Sequence, residues 1–470
     1  MAGTSLLGGA ILVPLLTLVG TAVGVLLCDL WGTTQRLSAW VSLTSLIVAP
    51  VLMLIVVVSG QGGTAQGMLI GDGIAALWAL LFCAAGGIAI LIEVGHTQDA
   101  PSLRGGTYAL VLFAVSSALI VAQSAHMLSL AIGLATLHVS LAALSGLRTA
   151  WRYLVVHGLG LACFLFGLAL LYGATGSMQV DMVAEVLNRQ ASAGPTNPLA
   201  MLSLGLVVGG LLLPLGIVPF HTWLPDLCQR GSLPGGCLMS HLLPGAALAA
   251  LLRLGCHATS VTYNLTVLLA ILGTLSVGLG YVYALRAGSI REALAGIVIA
   301  RSGTWLLSLL VLRSANWAIL FYLLLSGSLN LFCLWAVVAC ASPEGKWTPV
   351  DITGLGSRHP GLALVATLCL LNIVGVPPLA GAVGQLYLVH VAIAAGYGWT
   401  IGLTVAGSLL AWLLAGRWMM AMWMHPAPGR EPVRVAPEIL LVALGAATGI
   451  VWAGLYARTI LNWFASFVGG

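Results

Sequence analysis

The sequence predicts an all-α polytopic membrane protein with about fourteen transmembrane helices, on three observations. Of its 470 residues, 60% are hydrophobic and only 6% charged, against roughly 25% charged in an average soluble domain, and mean hydropathy is +1.08. The apolar residues form long runs without period-2 alternation, which excludes a transmembrane barrel. A spanning helix needs about 20 apolar residues, so the chain accommodates roughly fourteen spans with short connections. Such a composition cannot supply a water-facing surface. It excludes a soluble enzyme, a nucleic-acid binder and a disordered scaffold, and makes the lipid bilayer the first partner.

Interruptions by Gly, Pro, Arg or Asp delimit the spans. The first seven fall near 6–27, 37–59, 71–94, 107–125, 128–147, 153–173 and 198–219. The next seven fall near 236–254, 263–284, 290–311, 317–340, 361–380, 383–424 and 437–463. The 383–424 stretch reads as the end of a broken span 12 followed by span 13, across Gly396-Tyr397-Gly398. The N-terminal Met-Ala-Gly-Thr-Ser has no basic region or cleavage site and reads as the start of span 1.

Charge tests the count. The net charge of +5 rests on 17 basic residues, all Arg except Lys346. Connections after odd-numbered spans hold Arg36, Arg104, Arg148, Arg152, Arg230, Arg286, Arg291, Lys346, Arg358, Arg430 and Arg434. Those after even-numbered spans hold Arg189 and Arg313, with Arg253 and Arg458 near the same face. The positive-inside rule then puts the odd connections in the cytoplasm and both termini outside. The nine Cys include no C-x-x-C pair, so metal clusters and haem attachment find no ligands and no cofactor is expected.

A repeat is visible in the prolines. Span 7 contains Pro214-Leu-Gly-Ile-Val-Pro219 and span 12 contains Gly375-Val-Pro377-Pro378. Proline removes a backbone donor and clashes with the preceding turn, so both spans should break near the middle of the membrane. Their ordinals differ by an odd number, so the two copies should run in opposite directions. Inverted repeats with one discontinuous helix each mark transporters.

Residues 218–226, Val-Pro219-Phe220-His221-Thr-Trp223-Leu-Pro225-Asp226, resemble the P-F-H-x-W-x-P-D signature after helix 7 of the antiporter-like subunits of respiratory complex I. Neighbouring blocks agree. Arg152-Tyr153 through Phe166-Gly-Leu-Ala-Leu-Leu-Tyr172-Gly resembles their sixth helix, and Arg291-Glu-Ala-Leu-Ala-Gly-Ile-Val-Ile-Ala300 their tenth. Asp351-Ile-Thr-Gly-Leu-Gly with Gly375-Val-Pro-Pro-Leu-Ala-Gly381 resembles the pair of motifs around helix 12. The likeness covers roughly 100–425 and is nearest to the subunit N branch. It implies fourteen helices, with spans 4–8 (101–260) and 9–13 (261–425) as inverted repeats between residues 1–100 and 426–470. It further implies a multi-pass protein of the bacterial cytoplasmic membrane, partnered by other membrane subunits including sister antiporter-like subunits.

The resemblance also implies a midplane file of ionisable groups, a Glu on helix 5 and Lys on helices 7, 8 and 12. A buried Lys can release and rebind a proton because desolvation disfavours its charged form. Matching position by position puts Ala135 at the Glu, Pro214 at the first Lys, Pro244 or Gly245 at the second and Gln385 at the third. None can titrate. Arg301, on span 10, sets a local field without surrendering its proton and is expected to pair with a backbone carbonyl or with a carboxylate from a partner. His138 shares a helix face with Ala135, His241 precedes Pro244 by a turn, and His390 follows Gln385, so a rewired relay His138–His241–His390 is the alternative route. Glu93 reads as an interfacial residue or a member of an axial polar chain. His221, Trp223 and Asp226 read as organisers of the loop after span 7. The expectation is a membrane-arm subunit of a complex I-like NADH:quinone oxidoreductase that has lost its own proton path and acts structurally, with no redox chemistry or metal of its own. The alternatives are a translocator using the histidines, or a subunit of a related hydrogenase, cation-antiporter or inorganic-carbon uptake complex.

Overall fold

The computed structural model describes residues 2–31, 35–60, 62–96, 104–193, 197–255, 262–310, 317–341, 352–425 and 435–468. Lys346, Asp351, Arg313, Arg430 and Arg434 lie outside them.

Helices α1 (Ala2–Leu30) and α2 (Gln35–Val58) lead into a small antiparallel hairpin, β1 (Gly63–Ala65) with β2 (Leu69–Gly71), whose register pairs Gly63 with Gly71. Then come α3 (Gly73–His96), α4 (Arg104–Gln123), α5 (Met127–Ser145), α6 (Leu147–Thr175), α7 (Val180–Ala193), α8 (Pro198–Leu215), α9 (Trp223–Arg230) and α10 (Leu233–Gly255). The second half holds α11 (Thr262–Arg286), α12 (Ile290–Ser308), α13 (Trp317–Ala341), α14 (Leu355–Arg358), α15 (Pro360–Val374), α16 (Ala380–Ala394), α17 (Trp399–Trp423), α18 (Pro437–Leu455) and α19 (Ala457–Val468).

Twelve of the described helices are long and apolar enough to cross a membrane. Helix α12 is as long as several of them but carries Arg291, Glu292 and Arg301. Helices α15 and α16 are 15 residues each, the two halves of one span. Counted this way, the fourteen expected spans are all present. Helices α10 and α13 are almost wholly buried, whereas α1, α6 and α17 turn broad apolar faces outward.

Small residues let these helices close on one another without a hydrophobic drive between them. A Cβ at Gly280 of α11 would lie 2.5 Å from the backbone nitrogen of Ala300, and one at Gly303 of α12 would lie 2.5 Å from the Gly273 carbonyl oxygen. The backbones of α11 and α12 therefore touch directly.

Two expectations need correction, and one helix was not anticipated. The connection after span 6 contains α7, whose Val180, Val183, Ala184 and Leu187 are buried while Asp181, Glu185 and Arg189 occupy its other side; its period is right for an amphipathic helix but its apolar stripe is too narrow for a span. The last expected span divides into α18 and α19. The break of span 7 is displaced from the membrane's middle. Pro214 sits inside the last turn of α8, and 18 residues at 1.5 Å each already cover about 27 Å, nearly the ~30 Å hydrocarbon thickness. Only span 12 divides into equal halves.

Candidate functional site

The discontinuity of span 12 is the most constrained polar feature. Helix α15 ends at Gly375, whose φ of +87° is a backbone state that favours glycine, and its N–H donates to the Leu371 carbonyl. A helix end leaves carbonyls without intrahelical donors. Here the Gln385 Nε2 reaches back from α16 and donates to the Ile373 and Val374 carbonyls at 3.2 and 3.3 Å. The reverse stitch comes from Asn372, whose Oδ1 accepts from the Gly381 N–H at the start of α16, at 2.6 Å. A Cβ at Gly381 would lie 1.8 Å from the Asn372 carbonyl oxygen, so only glycine fits. Pro377, Pro378 and Leu379 form the turn between the halves, with the Pro377–Pro378 peptide cis. Two neutral amides thus satisfy a broken helix on both sides of its gap.

At span 7 the chain leaves α8 through Gly216, φ +67°. The Trp223 Nε1 donates to the Leu213 carbonyl at 3.2 Å, and the Val218 N–H donates to Ser276 Oγ of α11 at 3.0 Å. The Val218–Pro219 peptide is cis. Pro244 and Gly245 are buried within α10. A Cβ at Gly245 would lie 2.8 Å from the Phe82 ring, so any side chain there would have to displace that ring. Ala135 is half-buried on α5.

Arg301 is half-buried on α12. With the Asn330 amide turned so that its oxygen faces the guanidinium, Asn330 accepts from Arg301 Nη2 at 3.2 Å and donates to the Cys369 carbonyl at 3.0 Å. That links α12, α13 and α15 through one side chain. Within the chain, Arg301 thus meets the amide oxygen of a side chain on the neighbouring helix. Trp305, one turn beyond Arg301, stands edge-on to the His241 ring at 5.6 Å, and His241 stacks on Phe332 at 4.3 Å. Among the described residues neither His241 ring nitrogen has a hydrogen-bond partner.

The other buried histidines gather on α5 and α6. His138 Nδ1 lies 2.9 Å from the Tyr153 hydroxyl, and His157 Nδ1 lies 3.0 Å from the Tyr153 carbonyl. The Tyr153 and His157 rings stack at 4.0 Å, Trp223 meets His157 edge-on at 4.5 Å, and the two imidazoles are 5.0 Å apart. A cleft of about 380 Å³ borders this cluster and is lined by Arg152, Tyr153, Trp223 and Asp226. At its mouth Asp226 pairs with Arg152 and Arg230, each at 3.0 Å. Arg291 Nη1 donates to the Gln229 and Gly231 carbonyls at 3.2 Å, closing the end of α9. The motif residues therefore organise the junction of α6, α8, α9 and α12, with Pro225 inside α9, His221 half-buried and Phe220 exposed.

Comparison with known proteins identifies the family and the fold. Residues 124–411 match the family described as NADH:quinone oxidoreductase/Mrp antiporter, transmembrane. The chain belongs to that family. An NADH-quinone oxidoreductase subunit N from Sorangium cellulosum is 30% identical over 430 residues, 84% of each chain. One from Trichlorobacter lovleyi is 28% identical, with 90% of this chain and 89% of that one aligned. A chain of respiratory complex I from Thermus thermophilus superposes with a TM-score of 0.81 at 27% identity, covering 96% of this chain and 98% of that one. A chain of the Mrp complex from Dietzia sp. shares the fold, with a TM-score of 0.83 at 17% identity and coverage of 100% and 97%.

Against the expectations for this antiporter-like subunit, the three histidines named from the sequence are dispersed. His138 belongs to the Tyr153 cluster, His241 to the Trp305–Phe332 sandwich, and His390 is exposed on α16. Among the described residues no hydrogen bond or ring contact joins them. Glu93 is half-buried near the end of α3. Two features escaped the sequence. His157 lies four residues after Tyr153, a helical spacing that puts both on one face; that spacing was the available signal. Asp72 forms a two-pronged pair with buried Arg253, at 2.6 and 2.8 Å, while Arg253 Nε donates to the Ala122 carbonyl. No spacing in the sequence relates residues 72 and 253.

Proposed function

We propose that this chain is a membrane-arm subunit of a complex I-like assembly that supplies architecture and sealing in place of a proton path of its own. One observation carries the proposal. Gln385, at the position where the resemblance puts a Lys, spends its amide N–H groups on the carbonyl end of α15, and an amide cannot change charge. The packing of Gly245 against Phe82 and the proline at 214 support the same reading, because neither residue carries a titrating group. Arg301 supports it as well, since an arginine does not give up its proton at physiological pH. Its partners in this reading are sister membrane subunits, its setting is the bacterial cytoplasmic membrane, and both termini face the outside.

The test uses the parent complex in proteoliposomes. His138→Ala and Gln385→Ala are expected to leave protons pumped per electron pair unchanged. A fall in that ratio at intact electron transfer overturns the proposal. The His138–Tyr153–His157 cluster beside the Asp226 cleft is the observation that favours a second reading, a proton translocator using imidazoles, and a selective fall with His138→Ala would support it. Mass spectrometry of co-purifying subunits after gentle solubilisation decides between an NADH-oxidising assembly and a hydrogenase, cation-antiporter or inorganic-carbon complex.

A further inference from the structure

The cleft between α6 and α9 brings fixed charge and apolar surface together. Val155, Val156, Trp223 and Leu227 wall it, and Arg152 and Asp226 stand at its mouth. Its volume of about 380 Å³ falls in the range of small-molecule sites. The charges at the mouth do not cancel. Asp226 is shared by Arg152 through Nη1 and by Arg230 through Nε, each at 3.0 Å, which leaves one net positive charge. The two arginine side chains are 67% and 62% exposed against 29% for the carboxylate, so the positive groups face outward. A guanidinium has five N–H donors, and the pair with Asp226 occupies one nitrogen of each, leaving the others to meet a second anion.

The cleft lies at headgroup depth. Helix α6 has 29 residues, about 43 Å at 1.5 Å each, against a hydrocarbon thickness of ~30 Å, and Trp151 and Arg152 are exposed near its first turn. Trp at this level is typical of the membrane–water boundary. Other arginines gather at the same end of the bundle: Arg291 donates to the Gln229 and Gly231 carbonyls at the end of α9, and Arg417 donates to the Leu285 carbonyl at the end of α11. From the cleft an exposed apolar stripe runs along one face of α6 through Val155, Leu159 and Phe166, residues that helical spacing sets above one another. The stripe is about 17 Å long, the depth of one leaflet in a ~30 Å hydrocarbon layer.

We propose that this cleft is the headgroup site of an anionic phospholipid, with its phosphate met by Arg152 and Arg230 and one acyl chain laid along the Val155–Phe166 stripe. Basic pockets between membrane helices take up anionic headgroups in this way. The net charge selects an anionic headgroup over a zwitterionic one, and the stripe selects a lipid over a free anion. The site is independent of any proton path.

The test is native mass spectrometry of the full chain released from nanodiscs of equal phosphatidylcholine and phosphatidylglycerol. The unmodified chain is expected to retain phosphatidylglycerol in preference. Arg152→Gln and Arg230→Gln, both at exposed positions, should each lower that retention about fivefold, as loss of one basic contact at a membrane surface implies, whereas Arg152→Lys should keep it. Asp226→Asn adds one net positive charge at the mouth and should raise retention, a direction that a purely structural role for the ion pairs does not give. Equal retention of the two lipids by the unmodified chain overturns the proposal, as does unchanged retention in both glutamine variants or a fall with Asp226→Asn. In the assembled complex a photo-crosslinker at Val155 should capture lipid, and capture of a neighbouring subunit in its place overturns the proposal too.

Discussion

At the scale of single residues, the polar features of this subunit are held by geometry that tolerates little change. Gly381 admits no Cβ because the Asn372 carbonyl occupies that space, so Gly381→Ala must push α15 and α16 apart. Off-rotamer shifts and overpacking of this kind cost about 1–3 kcal/mol. The loss of the Asn372 stitch adds about 1 kcal/mol. A matching fall in thermal midpoint in detergent is expected, and an unchanged midpoint would show that the break relaxes freely. Asp72→Asn should cost about 3 kcal/mol, at the low end for a severed buried pair because Asp72 is 34% exposed. The double variant Asp72→Asn/Arg253→Met should recover part of that loss, which a two-variant cycle in the same assay measures. The sequence and the fold differ in what they reveal at this scale. Motif spacing alone assigns Ala135, Pro214, Pro244 or Gly245, and Gln385 to the family's positions, whereas the Asp72–Arg253 pair and His157 required the folded chain, because their partners lie far away in sequence or on another helix.

At the scale of elements, the sequence carries the spans and loses the ornaments. Twenty apolar residues leave a signal that no loop imitates, so the span order and the division of α15 from α16 could be read from hydropathy and proline. The hairpin of β1 and β2 is three residues per strand, too short to show alternation above its surroundings. The division of α18 from α19 was hidden because Ala457–Val468 is apolar enough to continue a span. What fixes it is packing. A Cβ at Gly454 would lie 2.0 Å from the Pro378 carbonyl oxygen, and the Tyr322 hydroxyl donates to the Ala453 carbonyl at 3.0 Å. The last turn of α18 is thus pressed against the break in span 12. Gly454→Val is expected to disturb that break from a distance, and hydrogen exchange of the Gly375–Gly381 amides should accelerate while that of α5 and α6 stays unchanged.

At the scale of the whole molecule, the buried pillars α10 and α13 are surrounded by helices that turn apolar faces outward, as expected of a polytopic membrane subunit. Side-by-side helices joined through glycine contacts form a dense wall, and the Arg301–Asn330–Cys369 bridge ties three of them together. Its consequence is electrical. A permanent positive charge in a poorly polarisable interior repels any second cation, by about 4 kcal/mol at a 4 Å approach with an effective dielectric of 20. A respiratory membrane stores its energy as a voltage, and a polytopic chain with glycine-lined seams is a weak point in that capacitor. In the proposed reading Arg301 keeps this chain an insulator, so Arg301→Met liposomes should discharge an imposed proton gradient faster than those carrying the unaltered subunit, a difference that a pH-sensitive dye trapped inside would record.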